Sequence, residues 1–406
     1  MDILFLEPQP FYKHRGSPIA VHLLLKVLSQ QGHRIDLVTY AEGETVAYNQ
    51  VEYHRIPQVP FVHHIRAGFS WKKTINDILM IFVVFSLLIR RRYHVVWAVE
   101  EMAFLGVLLK LLFGIPYVYD MDSSLAQQLV EQFPRLARFT RTLEFFEGIA
   151  VKHATVVVPV CDALVEDIQK YHPQKTVTLR DVSLLDEISE PVELDLRTQL
   201  GLNGDPMLMY VGNLEAYQGI DLLLEGFAMA AKQTRPAELV IVGGAEQDIQ
   251  QYVQKSRKLG VEQRVHFLGP KPIQHLSAYL SQADILVSPR TKGRNTPMKI
   301  YSYLDSGKPL LATNMETHTQ AFGPDVAELA DPTPPAFSAS MVHLIENEAL
   351  RHEFGQKGRQ LVQEKYSFTA FRRTLNQLID WLEYELGHQP ENLVKTKPVA
   401  YLSKEI

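Results

Sequence analysis

The sequence predicts an α/β chain made of two doubly wound domains that face one another across a cleft. Three observations carry that expectation. Short, continuously apolar runs alternate with helical patterns along nearly all of the 406 residues, as in a parallel sheet covered on both faces. The alternation runs through twice. Between the rounds, near residues 181 to 205, "DVSLLDEISEPVELD" is acidic and aperiodic and is followed by the turn Asn203-Gly204-Asp205-Pro206. Finally, Gly, Pro and cations gather just after several apolar runs, where open α/β sheets hold their ligands.

In the first domain, residues 1–185, the expected strands are "DILFL" (2 to 6), "IDLVTY" (35 to 40), "HVVWAV" (94 to 99), "PYVYD" (116 to 120), "TVVVP" (155 to 159) and "TVTL" (176 to 179). A helix over 17 to 31 follows from the stripes Ile19, Leu23, Val27 and Ala20, Leu24, Leu28, ended by Gly32. The second domain, residues 186–366, repeats the plan with "MLMYVG" (207 to 212), "ELVIVGG" (238 to 244), "RVHFLG" (264 to 269), "DILVSP" (284 to 289) and "PLLAT" (309 to 313). An amphipathic helix over 367–386 is expected to pack back on the first domain, and 387–406 reads as a polar tail.

The net charge of −5 is uneven: residues 1 to 180 hold 19 Lys and Arg against 17 Asp and Glu, and the remainder 22 against 29. That balance argues against a nucleic-acid partner, which would need a basic surface. The one cysteine, Cys161, fits a reducing compartment and a packed thiol. "MDILFLEPQP" has no basic leader and reads as a first strand, so a cytoplasmic protein is expected. In "WKKTINDILMIFVVFSLLIRRRYH", residues 71–94, the apolar core is shorter than the ~20 residues that span a bilayer. It reads either as a buried helix of the sheet or as an interfacial helix on anionic lipid, with "AFLGVLLKLLFG" and the series Arg135, Arg138, Arg141 as further apolar and basic surface.

Three loops after strands have chemistry suited to a phosphate or a sugar. "EPQPFYKHRGSP" opens a helix with Gly16, Ser17 and Pro18, and reads equally as a well-capped helix start. "GNLEAYQGIDLLLEGF" brackets a tight loop with Gly212 and Gly219. "SPRTKGRNTPMKIYSYLDSGKP" carries Arg290, Lys292, Arg294 and Lys299, with Pro297 expected in a first helical turn, Thr296 or Asn295 at its cap, and Ser302 one turn after Lys299. Cations at a helix N-terminus oppose its dipole, so four of them there point to an anionic ligand.

Together, "PRTKGRNTPMKIYSYLDSGKPLLAT", "YVGNLEAYQGIDLLLEGF" and "ELVIVGG" resemble the retaining GT-B glycosyltransferases of the family 4 type, the glycosyl transferases group 1. The resemblance extends over essentially the whole chain and implies two Rossmann-like domains. It implies a nucleotide diphosphate sugar as donor, bound mostly by the C-terminal domain, a hydroxyl acceptor, and neither metal nor cofactor, since protein cations stabilise the departing diphosphate. The family's Glu pair, eight positions apart, falls on Arg294 and Ser302 when aligned through Gly307 and Pro309. Its Arg and Lys after the second domain's first strand fall on Asn213 and Gln218. The implied cradle therefore shifts to the neighbouring loop. Its donor-binding residues are Gly16, Gly212, Asn213, Gln218, Arg290, Lys292, Arg294, Asn295, Thr296, Pro297, Lys299 and Ser302.

For the chemistry, "YVYDMDSS" sets Asp120 and Asp122 past a strand end, about where many relatives carry a His-Asp pair. Asp122 or Ser123 reads equally as a helix cap. Of Glu100 and Glu101 in "AVEEMAF", one, Glu101, is placed on the acceptor side, together with Arg15 in the first loop. The acceptor expected is lipid-linked or a surface-polysaccharide precursor, with contact at the inner face of an anionic membrane. A non-catalytic nucleotide-sugar-binding protein, or an epimerase or phosphorylase on the same fold, is the alternative.

Overall fold

The computed structural model describes residues 1–12, 16–62, 65, 69–185, 192–202 and 204–387. Arg15 and the tail from 388 onward lie outside the described residues. The chain divides into two compact units, Met1–Leu179 with Arg372–Ile406, and Arg180–Phe371.

In the first unit six parallel strands form one sheet: β1 (Asp2–Glu7), β2 (Arg34–Thr39), β3 (Val51–Arg55), β4 (Val95–Val99), β5 (Tyr117–Met121) and β6 (Val156–Pro159), in the order β3-β2-β1-β4-β5-β6. β3 was not among the expected strands: "VEYHR" alternates polar and apolar residues, as a half-covered edge strand does, and so lacks a continuous apolar run. "TVTL" is not a strand but touches the sheet through one bridge, Val157 to Thr176. Alternate strand residues supply the two faces. Leu4, Leu6, Ala98 and Tyr119 enter the cluster that holds the helices Trp71–Arg90, Met102–Phe113 and Thr140–His153. On the alternate positions Phe5 stacks on Trp97 with ring centres 5.9 Å apart.

The second unit repeats this order with β7 (Met207–Val211), β8 (Glu238–Val242), β9 (Val265–Gly269), β10 (Ile285–Ser288), β11 (Leu310–Thr313) and β12 (Glu328–Ala330), arranged β12-β11-β10-β7-β8-β9. Three residues long, β12 was too short to read from pattern. The helix Phe368–Glu385 follows, and from Arg372 it belongs to the first unit, where Asn376 accepts from Gln31 Nε2 at 3.0 Å.

In both sheets the unit's first strand lies beside its fourth, so the winding reverses between β1 and β4 and between β7 and β10. Loops leaving adjacent strands in opposite senses open a crevice at their carboxyl ends. In the second unit the loops after β7 and β10, with the helix that follows, carry most of the candidate residues; in the first, Gly16 and Glu101 follow β1 and β4, whereas Asp120 lies in β5 and Asp122 just after it.

Candidate active site

In the second unit the loop after β7 and the loop after β10 are locked together. Thr291 N–H donates to the Tyr217 carbonyl at 2.9 Å. Gly219 has φ +76, and a β-carbon there would lie 1.9 Å from the Pro289 carbonyl oxygen, so only glycine lets the loops meet this closely. The cations of the second loop then fall onto the first. Arg290, 7% exposed, lies over the Tyr217 ring at 5.2 Å; its Nε donates to the Lys292 carbonyl and its Nη2 to Asn295 Oδ1, both at 2.8 Å. Lys299 Nζ donates to Gln218 Oε1 at 2.9 Å and stands 3.9 Å from the centre of the Tyr210 ring. It also borders Gly212, whose β-carbon would sit 3.2 Å from the ammonium. Burial, and then the nearby Arg290, hold the Lys299 ammonium well below its ordinary pKa. Lys299 is thus met by an amide and an aromatic face rather than by a carboxylate, an arrangement that an incoming anion would relieve.

Behind this pair stands a residue that sequence reading missed. His318 is fully buried; its Nε2 faces Ser288 Oγ at 2.9 Å and its Nδ1 faces the Thr313 carbonyl at 2.9 Å. Thr313 Oγ1 spends its proton on the Arg290 carbonyl at 2.6 Å. Nδ1 must therefore carry an imidazole proton, and in the neutral ring Nε2 accepts from Ser288. Burial, aided by Arg290 and Lys299, drives its pKa down to about 3. His318 comes from the four-residue helix Glu316–Thr319, and the only trace of the brace in sequence is Ser and Thr at the ends of β10 and β11.

The other predicted donor residues are distributed differently. Lys292 is exposed, and Arg294 turns to Glu316, Nη2 to Oε1 at 3.0 Å. The expected helix start moves: the helix is Lys299–Asp305, capped by Met298 with no side-chain bond, not begun at Pro297 under Asn295 or Thr296. Asn295 accepts from Arg290 instead, Thr296 bonds to Tyr301, and Pro297 contributes its carbonyl to the Ile300 N–H at 3.0 Å. Ser302, fully buried, accepts from the Leu184 N–H at 3.0 Å. Asn213 Oδ1 turns back on its own loop and accepts from the Glu215 N–H at 3.3 Å.

In the first unit, acids gather at the carboxyl ends of β1, β4 and β5. Glu7 ends β1 fully buried. Glu100, after β4, accepts from Ser123 Oγ on both oxygens at 3.0 and 3.1 Å. Asp120 accepts from Trp97 Nε1 at 2.8 Å, and Asp122 is hydrogen-bonded to Ser17, beside Gly16 in the first turn of the helix Gly16–Gln30. Ser124, not Asp122 or Ser123, caps the helix Leu125–Gln132. Burial, then Asp122, pushes the Asp120 carboxyl up to about 8; Asp122 and Glu100 are also raised, chiefly by burial. At neutral pH Asp120 therefore retains its proton. Glu101 lies apart from it and pairs with Lys73, which also donates to the Pro8 carbonyl at 2.8 Å. Asp36, Glu52 and His54 have metal-ligand spacing, but Arg91 binds Asp36 and Glu52 at 2.5 and 2.7 Å, so that group reads as an ion-pair network.

Comparison with known proteins agrees with this layout. Residues 193–361 match the family model for glycosyl transferases group 1, and residues 15–179 match that for the glycosyl transferase 4-like domain. The chain belongs to the GT-B glycosyltransferases of the family 4 type, and it is an enzyme of that class. Among individual proteins it is 21% identical to alpha-D-kanosaminyltransferase of Streptomyces kanamyceticus, over 66% of this chain and 71% of that one. D-inositol 3-phosphate glycosyltransferase of Corynebacterium aurimucosum is 28% identical over 45% of this chain and 47% of its own length, so the match spans about half of that relative. Of solved structures, sucrose-phosphate synthase from Thermosynechococcus elongatus superimposes with a TM-score of 0.79 at 19% identity, covering 95% of this chain and 99% of that one. Anabaena HepE, solved with UDP and glucose, gives 0.72 at 16% identity over 94% and 100%.

Proposed function

We propose that this glycosyltransferase moves a sugar from a nucleoside diphosphate donor to a hydroxyl acceptor with retention of anomeric configuration and without a metal. The observation that carries the reading is the convergence of Arg290 and Lys299 on the loop after β7, at the switch point of the second sheet. HepE, of the same fold, was solved with UDP at 16% identity, which supports a nucleotide donor here. As the glycosidic bond breaks, negative charge grows on the diphosphate, and two preorganised cations would stabilise it more than the ground state. The sugar gains oxocarbenium character, which carboxylates stabilise. Asp122 takes that role and orients the acceptor hydroxyl, with Asp120 as its proton-bearing neighbour. The acceptor we propose is lipid-linked or a surface-polysaccharide precursor at the inner face of a membrane.

A second reading, donor binding without transfer, is favoured by one observation: Arg294 and Ser302 occupy the positions of the Glu pair and are engaged with Glu316 and Leu184. A thermal-shift screen against nucleotide sugars, followed by NMR of any product, separates the two. A nucleotide-specific shift with a product of retained configuration supports transfer. A shift without product supports binding alone, and no shift with any nucleotide sugar overturns both.

A further inference from the structure

Seventeen large apolar side chains are exposed among the described residues; fourteen lie between Phe69 and Phe146, and the second unit contributes Val192 alone. Helix Trp71–Arg90 buries Met80, Val84 and Leu87 and leaves Phe82 and Ile89 at 67% and 87% exposure. The helix therefore packs on the sheet through one stripe, while its remaining apolar residues encircle it and face outward. Helix Met102–Phe113 likewise leaves Leu111 and Leu112 outward, and helix Thr140–His153 leaves Phe145 and Phe146 outward. The inner residues of all three join one cluster on one face of the first sheet, so their outer sides form a single layer facing away from it. Phe85 of the first helix meets Phe113 of the second at 6.0 Å, which makes that layer continuous.

Charge around the layer is mostly positive, and Glu144, beside Phe145, is tied to Lys170 at 2.6 Å. Arg90 adjoins Ile89, Arg141 precedes Phe145 by one helical turn, and Arg138 lies over Phe139 at 5.1 Å. Between residues 69 and 146, Glu131 is the only exposed acid among the described residues. We propose that this three-helix face docks on a bilayer surface containing anionic lipid, lying in the headgroup boundary with Phe82, Leu111 and Phe145 inserted. Apolar patches this concentrated are not kept against water without an occupant. No helix among the described residues is long and apolar enough to cross a membrane, so the mode is interfacial. A second copy of the chain fits poorly, because a two-fold contact would bring this arginine-rich face against itself. The inference deepens the reading of a membrane-borne acceptor and rests on it only for its purpose, since lipid binding is measured with neither substrate present.

The test is flotation of the full chain with phosphatidylcholine vesicles, with and without phosphatidylglycerol. The chain should float with the anionic vesicles, weakly with the neutral ones, and less at high salt. Phe82→Glu with Leu111→Glu should cut flotation by about tenfold or more, since inserted charge is expelled from the boundary. Arg90→Gln with Arg141→Gln should remove the preference for anionic lipid, whereas Lys299→Ala should float as wild type even if the donor reading fails. Absence of flotation with anionic vesicles, or flotation unchanged by the paired Glu substitutions, overturns the proposal. So does a dimer on size exclusion that the same Glu pair dissolves.

Discussion

Lys299 Nζ donates to Gln218 Oε1 across 81 residues of sequence, at 2.9 Å. In the resemblance that the sequence carries, position 218 is where a donor-binding lysine would stand. Here an amide occupies that position, and the ammonium arrives from the helix after β10. Cationic charge is retained at the same loop but supplied by a different element, which is the physical basis of the donor-site reading.

An exchange of partners tests this directly. Lys299→Gln should weaken nucleoside diphosphate binding by on the order of tenfold or more, as expected for loss of a charge-assisted contact. Adding Gln218→Lys should restore most of it, because the charge returns to the same loop. Isothermal calorimetry on the single and double variants reads both effects.

Gly293 sits at φ +99, and a β-carbon there would lie 2.5 Å from Arg290 Nη2. Gly293→Ala should displace the guanidinium from Tyr217 and Asn295 and strain the loop by roughly 1–3 kcal/mol. Kinetics should show a raised KM for donor with a smaller change in KM for acceptor.

His318 is neutral when folded, with its pKa lowered to about 3, and takes up a proton near 6.5 when unfolded. The unfolded chain binds the extra proton between those values, so His318's contribution is complete above about pH 6.5 and is lost as pH falls toward 3. Its slope is about 1.4 kcal/mol per pH unit. Urea unfolding of wild type and His318→Gln across pH 4 to 7 should show a shallower acid loss in the variant, whatever its absolute stability.

Asp120 behaves with the opposite sign. Its folded pKa is raised to about 8, so its contribution is full below the unfolded value and disappears as pH rises through about 8. Trp97 Nε1 donates to this carboxyl and serves as its reporter. Trp97 emission should titrate near pH 8 in wild type and lose that transition in Asp120→Asn.

The legibility of these features follows their locality. β1, β4, β5, β7, β8 and β10 were readable because strands buried on both faces must be apolar throughout. β3 was not, because one edge of its ladder is open and its sequence alternates. Arg290 and Lys299 were visible as charge after a strand, whereas the way they, and not Lys292 or Arg294, fold onto the loop after β7 was not. It depends on Gly293, on Glu316 capturing Arg294, and on Gln218 meeting Lys299, contacts that only the closed loops create. The His318 brace depends on three residues from separate segments, which no spacing announces.

The central claim is that Arg290 and Lys299 hold the donor diphosphate. Calorimetric titration of UDP, GDP and ADP into wild type, Arg290→Ala and Lys299→Ala tests it most directly. Binding of at least one nucleotide to wild type, weakened about tenfold or more in each variant while the fold melts normally, is the predicted result. Equal affinity in wild type and both variants would contradict it.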